Sequence, residues 1–350
     1  MHLPTMKVWH AVAFLTISSP TYATPHADRR GHGNVCVDKV FQFSHNGTQV
    51  ENLAVRSNGN VLFTLSAPSA QVWQVDPRVG NSSGTLVAST AQLSNTSSAG
   101  GITEVEPDLF AVVSCDLTLT SGTCKVHTID FTTQARLPKV DYITTVAEGV
   151  FLNGLASLCG GGRTVLASDS FRDPQAIFKI DLKSGASTVA LQDKSMEPPA
   201  NSTRVPAIGI NGLRKLGDYV YYTNSGTSTL WRVPIHPDGT AAAPSTLVSN
   251  LTTIQPFVDD LAIRPDGTAF VAGSNEITVV RPDGCTTILA GAVNQTMPLA
   301  GTTSAQCGRG SGAEEVLYVS TTGGAQDPVN GVYMEPGFVA AIRWGGGCQP

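Results

Sequence analysis

Short apolar runs that end in small polar residues recur along the chain. Six have this form: VLFTLS (61–66), LFAVVS (109–114), TVLASDS (164–170), YVYYTNS (219–225), TAFVAGS (268–274) and VLYVST (316–321). Each is followed by a run with alternating apolar and polar residues: QVWQVDP (71–77), KVHTIDF (125–131), AIFKIDL (176–182), TLWRVPI (229–235), EITVVRP (276–282) and, less clearly, FVAAIRW (338–344). A period of two is typical of β-strands with one buried face. No sustained 3.6-residue period follows the N-terminal segment, so the pattern predicts an all-β protein.

The strand pairs repeat about every 50 residues, comparing the equivalent positions Val75, Ile129, Ile180, Val233 and Val280. Six such units, each with three or four short strands, predict a single six-bladed β-propeller over residues 36–350. We expect the N-terminal strand VFQF (40–43) to complete the last blade. A two-sheet sandwich is the alternative, but it does not predict six equivalent strand pairs.

The first 23 residues have the features of a secretory signal peptide. Lys7 precedes the apolar run VWHAVAFLTI, and Thr21 and Ala23 supply small residues for cleavage. A buried helix of the mature fold is the alternative. We expect the polar residues 24–35 to be disordered. A secreted glycoprotein is also indicated by N-x-S/T sequons at Asn46, Asn81, Asn95, Asn201, Asn250 and Asn294.

The seven cysteines follow this segment, and an oxidising compartment would favour disulfides between them. Cys115 and Cys124 flank a predicted hairpin and are expected to pair across it. Cys36 and Cys348 lie at opposite ends of the chain, so they can pair only if the fold brings the ends together. Cys285 and Cys307 are then the remaining pair, which leaves Cys159 as the free thiol.

The charge of the chain narrows the classes of partner. The net charge of −5 is mild and no cluster of Lys and Arg occurs, so nothing supports a nucleic-acid partner. No apolar run reaches the length of about 18 residues that a membrane helix needs. We therefore expect a small-molecule partner and no membrane span.

Polar residues stand at the predicted starts of the innermost strands. Four blades begin ENLAV (51–55), NGLAS (153–157), NGLRK (211–215) and DDLAI (259–263), and the other two read GGITE (100–104) and, loosely, AQCGR (305–309). Innermost strands begin near the channel of a propeller. The alignment thus predicts an inward-facing ring at one mouth, formed by Glu51, Asn153, Asn211 and Asp259.

Two interpretations of this ring remain open. Two carboxylates and two amide oxygens are ligands that suit Ca²⁺ or another hard divalent cation, and carboxylates that converge without a cation raise one another's pKa. Alternatively, these residues cap strand starts and hydrate the channel.

The ring, together with the segments YVYYTNSGTSTLWRV and DLAIRPDGTAFVA, resembles the gluconolactonase and senescence-marker-protein propellers. This resemblance implies a divalent cation held by Glu51, Asn153, Asn211 and Asp259, with Asp259 also the general base of lactone hydrolysis. Two departures stand out. The family pattern Arg-Pro-Asn-Asp is here Phe151-Leu152-Asn153-Gly154, and Phe257 precedes the Asp motif. Phe151, Phe257 and Tyr222 are expected to suit an apolar or aromatic ligand, unless they only pack between blades.

The layout with a signal peptide, many sequons and cysteine pairs is also similar to secreted fungal propellers that include hetero-Diels–Alderases of tropolone–sesquiterpene biosynthesis. This resemblance implies an enzyme of secondary (meroterpenoid) metabolism that orients a tropolone quinone methide and a humulene-type alkene for cycloaddition, with no cofactor required. Asp259 and Glu51 would be its catalytic residues, and Phe151, Asn153, Asn211, Tyr222 and Phe257 would bind substrate. A cation-dependent lactonase and a non-catalytic ligand-binding propeller are the alternatives.

Overall fold

The computed structural model describes residues 35–79, 83–133, 137–158, 163–293, 297–310, 313 and 315–344. Six antiparallel four-stranded sheets form a six-bladed β-propeller, as the repeat predicts. Two short 3₁₀ helices, Lys194–Met196 and Met297–Leu299, lie in loops. Within these described ranges, no helix has the length and apolar character to cross a membrane.

Each of the first five blades is a consecutive run of four strands, from the innermost to the outermost. After the N-terminal strand β1 (Cys36–Gln42), blade 1 contains β2 (Gln49–Val55), β3 (Val61–Ala67), β4 (Gln71–Val75) and β5 (Thr85–Ala88). Blade 2 contains β6 (Ser98–Glu106), β7 (Leu109–Cys115), β8 (Lys125–Asp130) and β9 (Lys139–Thr145). Blade 3 contains β10 (Leu152–Leu158), β11 (Thr164–Asp169), β12 (Ala176–Asp181) and β13 (Ser187–Leu191). Blade 4 contains β14 (Ile210–Leu216), β15 (Tyr219–Asn224), β16 (Thr229–Pro234) and β17 (Thr246–Asn250). Blade 5 contains β18 (Leu261–Ile263), β19 (Ala269–Gly273), β20 (Glu276–Val280) and β21 (Thr286–Gly291).

The sixth blade joins the two ends of the described chain. It contains β22 (Thr302–Cys307), β23 (Val316–Thr321), β24 (Phe338–Arg343) and, outermost, β1 (Cys36–Gln42). Strand β1 pairs antiparallel with β24, from Cys36 opposite Arg343 to Gln42 opposite Phe338. The predicted closure by the N-terminal strand is therefore confirmed.

The apolar core is divided among the blade interfaces. Among the described residues, buried apolar side chains form six clusters, and each cluster spans two neighbouring blades. For example, Leu62 and Val72 of blade 1 pack with Ile102 and Phe110 of blade 2. Alternating side chains on a strand point to opposite faces of its sheet, so each blade contributes to two clusters.

The structure confirms one predicted disulfide and contradicts another. Cys115 and Cys124 are bonded, with their Cα atoms 4.1 Å apart. Cys285 and Cys307 are both free thiols, so the prediction that they pair is wrong. Cys285 lies in the turn between the two outer strands of blade 5, whereas Cys307 ends the innermost strand of blade 6, and a disulfide needs Cα atoms within about 7 Å.

The remaining cysteine predictions involve residues outside the described part of the chain. Cys36 is disulfide-bonded, but its predicted partner Cys348 is not among the described residues. Cys159, which was predicted to be the free thiol, also lies outside the described residues.

Candidate functional site

The predicted ring residues lie at irregular points of the innermost strands. The pairing register shifts between Val50 and Leu53, between Leu152 and Leu155, and between Ile210 and Leu213. Such bulges change the direction of a side chain relative to the sheet. Glu51, Asn153 and Asn211 each fall within one of these shifts. In blade 5 the strand begins only at Leu261, so Asp259 and Asp260 precede it rather than opening it as predicted.

Glycines explain why the inner strands can approach one another at these points. A Cβ atom on Gly154 would lie 2.6 Å from the Leu213 backbone N, and one on Gly212 would lie 2.3 Å from the Asp260 Oδ1 atom. Such distances do not occur for real Cβ atoms, so only glycine fits. The Asn-Gly pairs at the starts of β10 and β14 therefore place a polar side chain beside a close backbone contact.

Hydroxyl groups of the second strands connect neighbouring blades around the channel. The Thr223 Oγ1 atom accepts the Gly212 N–H at 2.8 Å and donates to the Asp259 carbonyl of the next blade. Thr64 likewise donates to the Gly100 carbonyl at 2.8 Å, and Ser320 donates to the Glu51 carbonyl at 3.1 Å. Small polar residues within or at the ends of the repeated apolar runs therefore bind the backbone at the starts of the innermost strands.

Two carboxyl groups of the ring influence each other. Burial raises the pKa of Glu51 to about 7, and the charge of Asp260 adds to this effect. Burial also raises the pKa of Asp259 well above its ordinary value, and the charges of Glu51 and Asp260 raise it further. The nearby side chains of Asn211 and Arg204 oppose the shift of Asp259 only in part. In the absence of a bound cation, burial and mutual repulsion therefore favour retention of a proton by this pair.

Asn211 lies beside this acidic pair and has an unused acceptor. Its Nδ2 group donates to the Ser225 Oγ atom at 2.9 Å. Its Oδ1 atom is buried and, among the described residues, has no hydrogen-bond partner. A buried acceptor without a partner costs free energy. A group that donates to this atom or coordinates it would remove that cost and would therefore bind more favourably.

These residues fit a hard divalent cation only in part. Glu51, Asp259 and the Asn211 Oδ1 atom are oxygen ligands of the type that Ca²⁺ prefers. However, no group of three or more His, Cys, Asp and Glu side chains within the described ranges converges as at a metal site. A cation here would rest on two carboxylates and on amide oxygens.

A pocket opens beside Asp259. Its lining includes Asp259 and Phe257 of blade 5, Thr303 of blade 6, and two flanking loops that contribute Arg204 and Gln326. The cavity volume of about 40 Å³ has room for a few water molecules. A bulky ligand would therefore place only a polar end in the pocket and extend over its mouth.

The predicted aromatic residues are not all at this pocket. Phe257 lines it. Phe151 is partly buried against the core of blades 2 and 3 and packs edge to face with Phe171, with ring centroids 5.6 Å apart. Asn153, 5% exposed, lies against the backbone of Gly100 and Gly101.

Tyr222 does not face a ligand at the mouth, so this part of the prediction needs correction. It is fully buried in the core between blades 3 and 4, and its hydroxyl group hydrogen-bonds to the Ser195 Oγ atom at 2.6 Å. Tyr222 stands in the middle of β15, where side chains point to the adjacent blades rather than along the channel.

The sequence interpretation missed the role of Asp260. Its Oδ2 atom accepts hydrogen bonds from Asn52 Nδ2 at 2.7 Å and from Ser304 Oγ at 3.1 Å, and it pairs with Arg214 Nη2 at 2.8 Å. Its Oδ1 atom accepts the Leu261 N–H at 2.7 Å. One carboxylate thus connects blades 1, 4, 5 and 6. The doubled Asp and the glycine at 212 were signals of this position, since Asp260 occupies the space that Gly212 leaves.

The sequence interpretation also missed Arg204. It belongs to the loop between β13 and β14, and its Cζ atom lies 4.4 Å from the centroid of the Phe257 ring. Loop residues follow no period, so the repeat contains no signal for them. The gluconolactonase pattern has an arginine near the position of Asn153, and this chain lacks it. Arg204 supplies an arginine to the pocket from a different loop.

Comparisons with known proteins agree with this architecture. No protein-family model matches the chain. A Phoma sp. protein named "Putative hetero-Diels-Alderase" is 27% identical over 338 residues, which cover 89% of this chain and 94% of the relative. A Sarocladium schorii protein of the same description is 26% identical over 309 residues, which cover 79% of this chain and 75% of the relative.

Solved structures show the same fold at low sequence identity. A luciferin-regenerating enzyme superimposes with a TM-score of 0.64 at 13% identity, covering 90% of this chain and 96% of that structure. A Xanthomonas campestris gluconolactonase superimposes with a TM-score of 0.57 at 10% identity, covering 89% and 91%. The expected resemblance to gluconolactonase-type propellers and to hetero-Diels–Alderases is confirmed.

Proposed function

We propose that the chain is an enzyme of the hetero-Diels–Alderase type, which holds two reactants beside Asp259 for cycloaddition. The observation that carries the proposal is the similarity to two fungal proteins of that description over 89% and 79% of the chain. The proposed reactants are a tropolone-derived quinone methide and a humulene-type sesquiterpene, in a secondary-metabolite pathway that makes meroterpenoids.

The reaction joins the reactants without losing an atom. The exocyclic carbon and the carbonyl oxygen of the quinone methide each form a bond to one alkene carbon, and the π electrons of the two reactants supply both bonds. This step transfers no proton, so the protein contributes orientation and polarisation. Orientation alone lowers a barrier by about 7–11 kcal/mol at best.

Asp259 and Glu51 suit the polarising role. Because the raised pKa values favour a retained proton near neutral pH, a carboxyl group can donate a hydrogen bond to the quinone methide oxygen. That hydrogen bond strengthens as electron density moves onto the oxygen during cycloaddition. Asn211, which lies beside Asp259 and is itself buried, would help to position the same reactant through this carboxyl group.

Apolar groups near the pocket suit the alkene, which has no polar atoms. Phe257 lines the pocket, and Val205 beside Arg204 is 95% exposed. The loop that contributes Gln326 also carries three consecutive exposed apolar side chains, Val332, Tyr333 and Met334. We propose that the alkene lies over this mouth. Phe151 and Asn153 are not in the pocket lining, so they would contact substrate only where it extends toward blade 3.

The test compares cycloaddition with purified protein, with Asp259→Ala protein and without protein. We expect the unchanged protein to raise the rate and to shift the product ratio, and Asp259→Ala to lose most of both effects. Addition of EDTA is expected to change neither, because no cation takes part. Equal product ratios with and without protein would contradict the proposal.

A divalent-cation-dependent lactonase is the second candidate, favoured by the unpartnered Asn211 Oδ1 atom beside two carboxyl groups. In that function, Glu51, Asn153, Asn211 and Asp259 would hold the cation, which would polarise the lactone carbonyl, and Asp259 would accept a proton from water. Asp259→Asn, Glu51→Gln and EDTA would then each abolish hydrolysis. A protein active in neither assay that still binds ligand would be a non-catalytic propeller.

Secretion and glycosylation belong to the same proposal. The sequon residues Asn46, Asn95, Asn201 and Asn250 are exposed, whereas Asn81 and Asn294 lie outside the described residues. The Cys115–Cys124 disulfide agrees with an oxidising compartment. The predicted signal peptide also lies outside the described residues. Recovery of the protein from culture medium with a mass that falls on enzymatic deglycosylation would support both expectations.

A further inference from the structure

Arg204 has hydrogen-bonding capacity that the fold does not use. In the described part of the chain, its only hydrogen bond is from its backbone N–H to Ser202 Oγ at 3.3 Å. The side chain is exposed at the pocket and lies over the ring of Phe257. A guanidinium group stacked on a ring keeps its N–H donors in its own plane, so they remain open to a ligand.

The charge of Arg204 is also not neutralised by an ion pair. Asp259 and Asp327 line the same pocket, yet neither is within ion-pair distance of Arg204 among the described residues. Burial and the neighbouring acids favour the neutral form of Asp259. A positive group without an ion pair therefore lies at the pocket, where it opposes the raised pKa of Asp259 only in part.

We propose that Arg204 forms an anion subsite, which binds the two adjacent oxygens of a planar, conjugated enolate beside Phe257. The planar fork of arginine matches a pair of oxygens with two parallel N–H···O bonds, which a lysine cannot reproduce. This assignment rests on the proposed function in making the oxygen-bearing reactant the ligand. Arg204 then holds that reactant with its oxygens toward Asp259 and leaves the opposite side to the alkene.

Direct binding of a small probe tests the subsite without the reaction. Tropolone at pH 8 is a planar anion with two adjacent oxygens, and tropone is its neutral analogue without the hydroxyl group. We expect calorimetric titration to show that Arg204→Gln weakens tropolone binding by about tenfold to a hundredfold, the loss typical of a charge-assisted pair. Arg204→Lys should recover part of the affinity, and tropone should bind weakly to all variants.

Arg232→Gln is the matched control. Arg232 also lies over an aromatic ring, with its Cζ atom 5.1 Å from the centroid of Tyr219, but it is not part of the pocket lining. Its substitution should leave tropolone binding unchanged, and thermal unfolding should show that both variants fold. Tropolone binding to Arg204→Gln within twofold of the unchanged protein, or equal binding of tropone, would overturn the subsite.

The outcome also separates the subsite from the proposed reaction. Arg204-dependent tropolone binding without cycloaddition would keep the subsite and reject the reaction. Cycloaddition that is unaffected by Arg204→Gln would keep the reaction and reject the subsite.

Discussion

Two adjacent carboxyl groups of this propeller have different environments. Asp260 accepts hydrogen bonds from blades 1 and 6 and pairs with Arg214 of blade 4, whereas Asp259 lines the pocket with a raised pKa. The two residues are adjacent just before β18, yet the side chain of Asp260 contacts neighbouring blades whereas Asp259 lines the pocket. The doublet thus joins a structural residue to a candidate catalytic one.

We predict that Asp260→Asn destabilises the fold by about 3–5 kcal/mol, because it leaves the buried Arg214 guanidinium without a counter-charge. Denaturant unfolding measures the change. The double variant Asp260→Asn/Arg214→Met should recover part of the loss, and Asp238→Asn, whose partner Lys179 lies 3.6 Å away at the surface, should change stability little. A loss below about 1 kcal/mol for Asp260→Asn would show that the contacts are not stabilising.

Glu276 gives a pH dependence that is independent of the candidate site. Burial raises its pKa to about 7, so between its ordinary pKa and this value the folded state binds the extra proton. Stability is therefore highest below that window and falls as pH rises through it, by about 3 kcal/mol in total. His127 contributes the opposite trend at lower pH, because burial lowers its pKa to about 4.

We expect the free energy of unfolding of Glu276→Gln, relative to the unchanged protein, to rise between pH 5 and 7, because only the unchanged protein loses the Glu276 proton in this window while the contribution of His127 is common to both. Denaturant titrations at both pH values, in buffer with EDTA, measure it. An unchanged slope in Glu276→Gln would show that Glu276 titrates normally.

The repeated elements carry a polar signal as well as an apolar one. The hydroxyl groups at the ends of the second strands bind a bulged innermost strand and the carbonyl of the next blade, as Thr223 does for Gly212 and Asp259. This contact explains why the repeated apolar runs end in small polar residues.

We predict that Thr223→Val lowers the stability by about 1–3 kcal/mol, because it leaves the Gly212 N–H and the Asp259 carbonyl without a partner. Thr246→Val, at an exposed position of the same blade, should stay within about 0.5 kcal/mol of the unchanged protein. The two variants are compared by denaturant unfolding. Equal stabilities would mean that the hydroxyl contacts between blades are dispensable.

These elements show which parts of the fold are predictable from sequence. The period-two runs and the spacing of about 50 residues were sufficient for the strands, the blade number and the closure by β1, because they reflect burial between blades. Tyr222 was placed wrongly because the repeat locates a strand but does not give the direction of each side chain. Cys285 and Cys307 were paired by elimination, which contains no information about distance.

At the scale of the whole molecule, the candidate site is assembled from distant parts of the chain. Closure of the ring brings Asn52 within 2.7 Å of Asp260, and it surrounds Asp259 with side chains of blade 6 and of two loops. The inner-strand motifs could be aligned from sequence, but Arg204 and Gln326 could not, because non-periodic loops place them.

At this scale, similarity in sequence rather than in fold supports the proposed function. Gluconolactonase and luciferin-regenerating propellers share the fold at 10–13% identity, so the fold alone does not select a reaction. The two relatives named as hetero-Diels–Alderases are 26–27% identical over 79–89% of this chain, about twice the identity of those solved structures. The central claim is that this closed ring orients two reactants at one mouth.

The most direct test is the enantiomeric excess of the cycloadduct formed from the quinone methide and humulene. The spontaneous reaction in achiral buffer gives a racemic product, whereas a chiral pocket that orients both reactants selects one face. We predict an excess of one enantiomer with the unchanged protein and its loss with Asp259→Ala. A racemic product at saturating protein would contradict the claim.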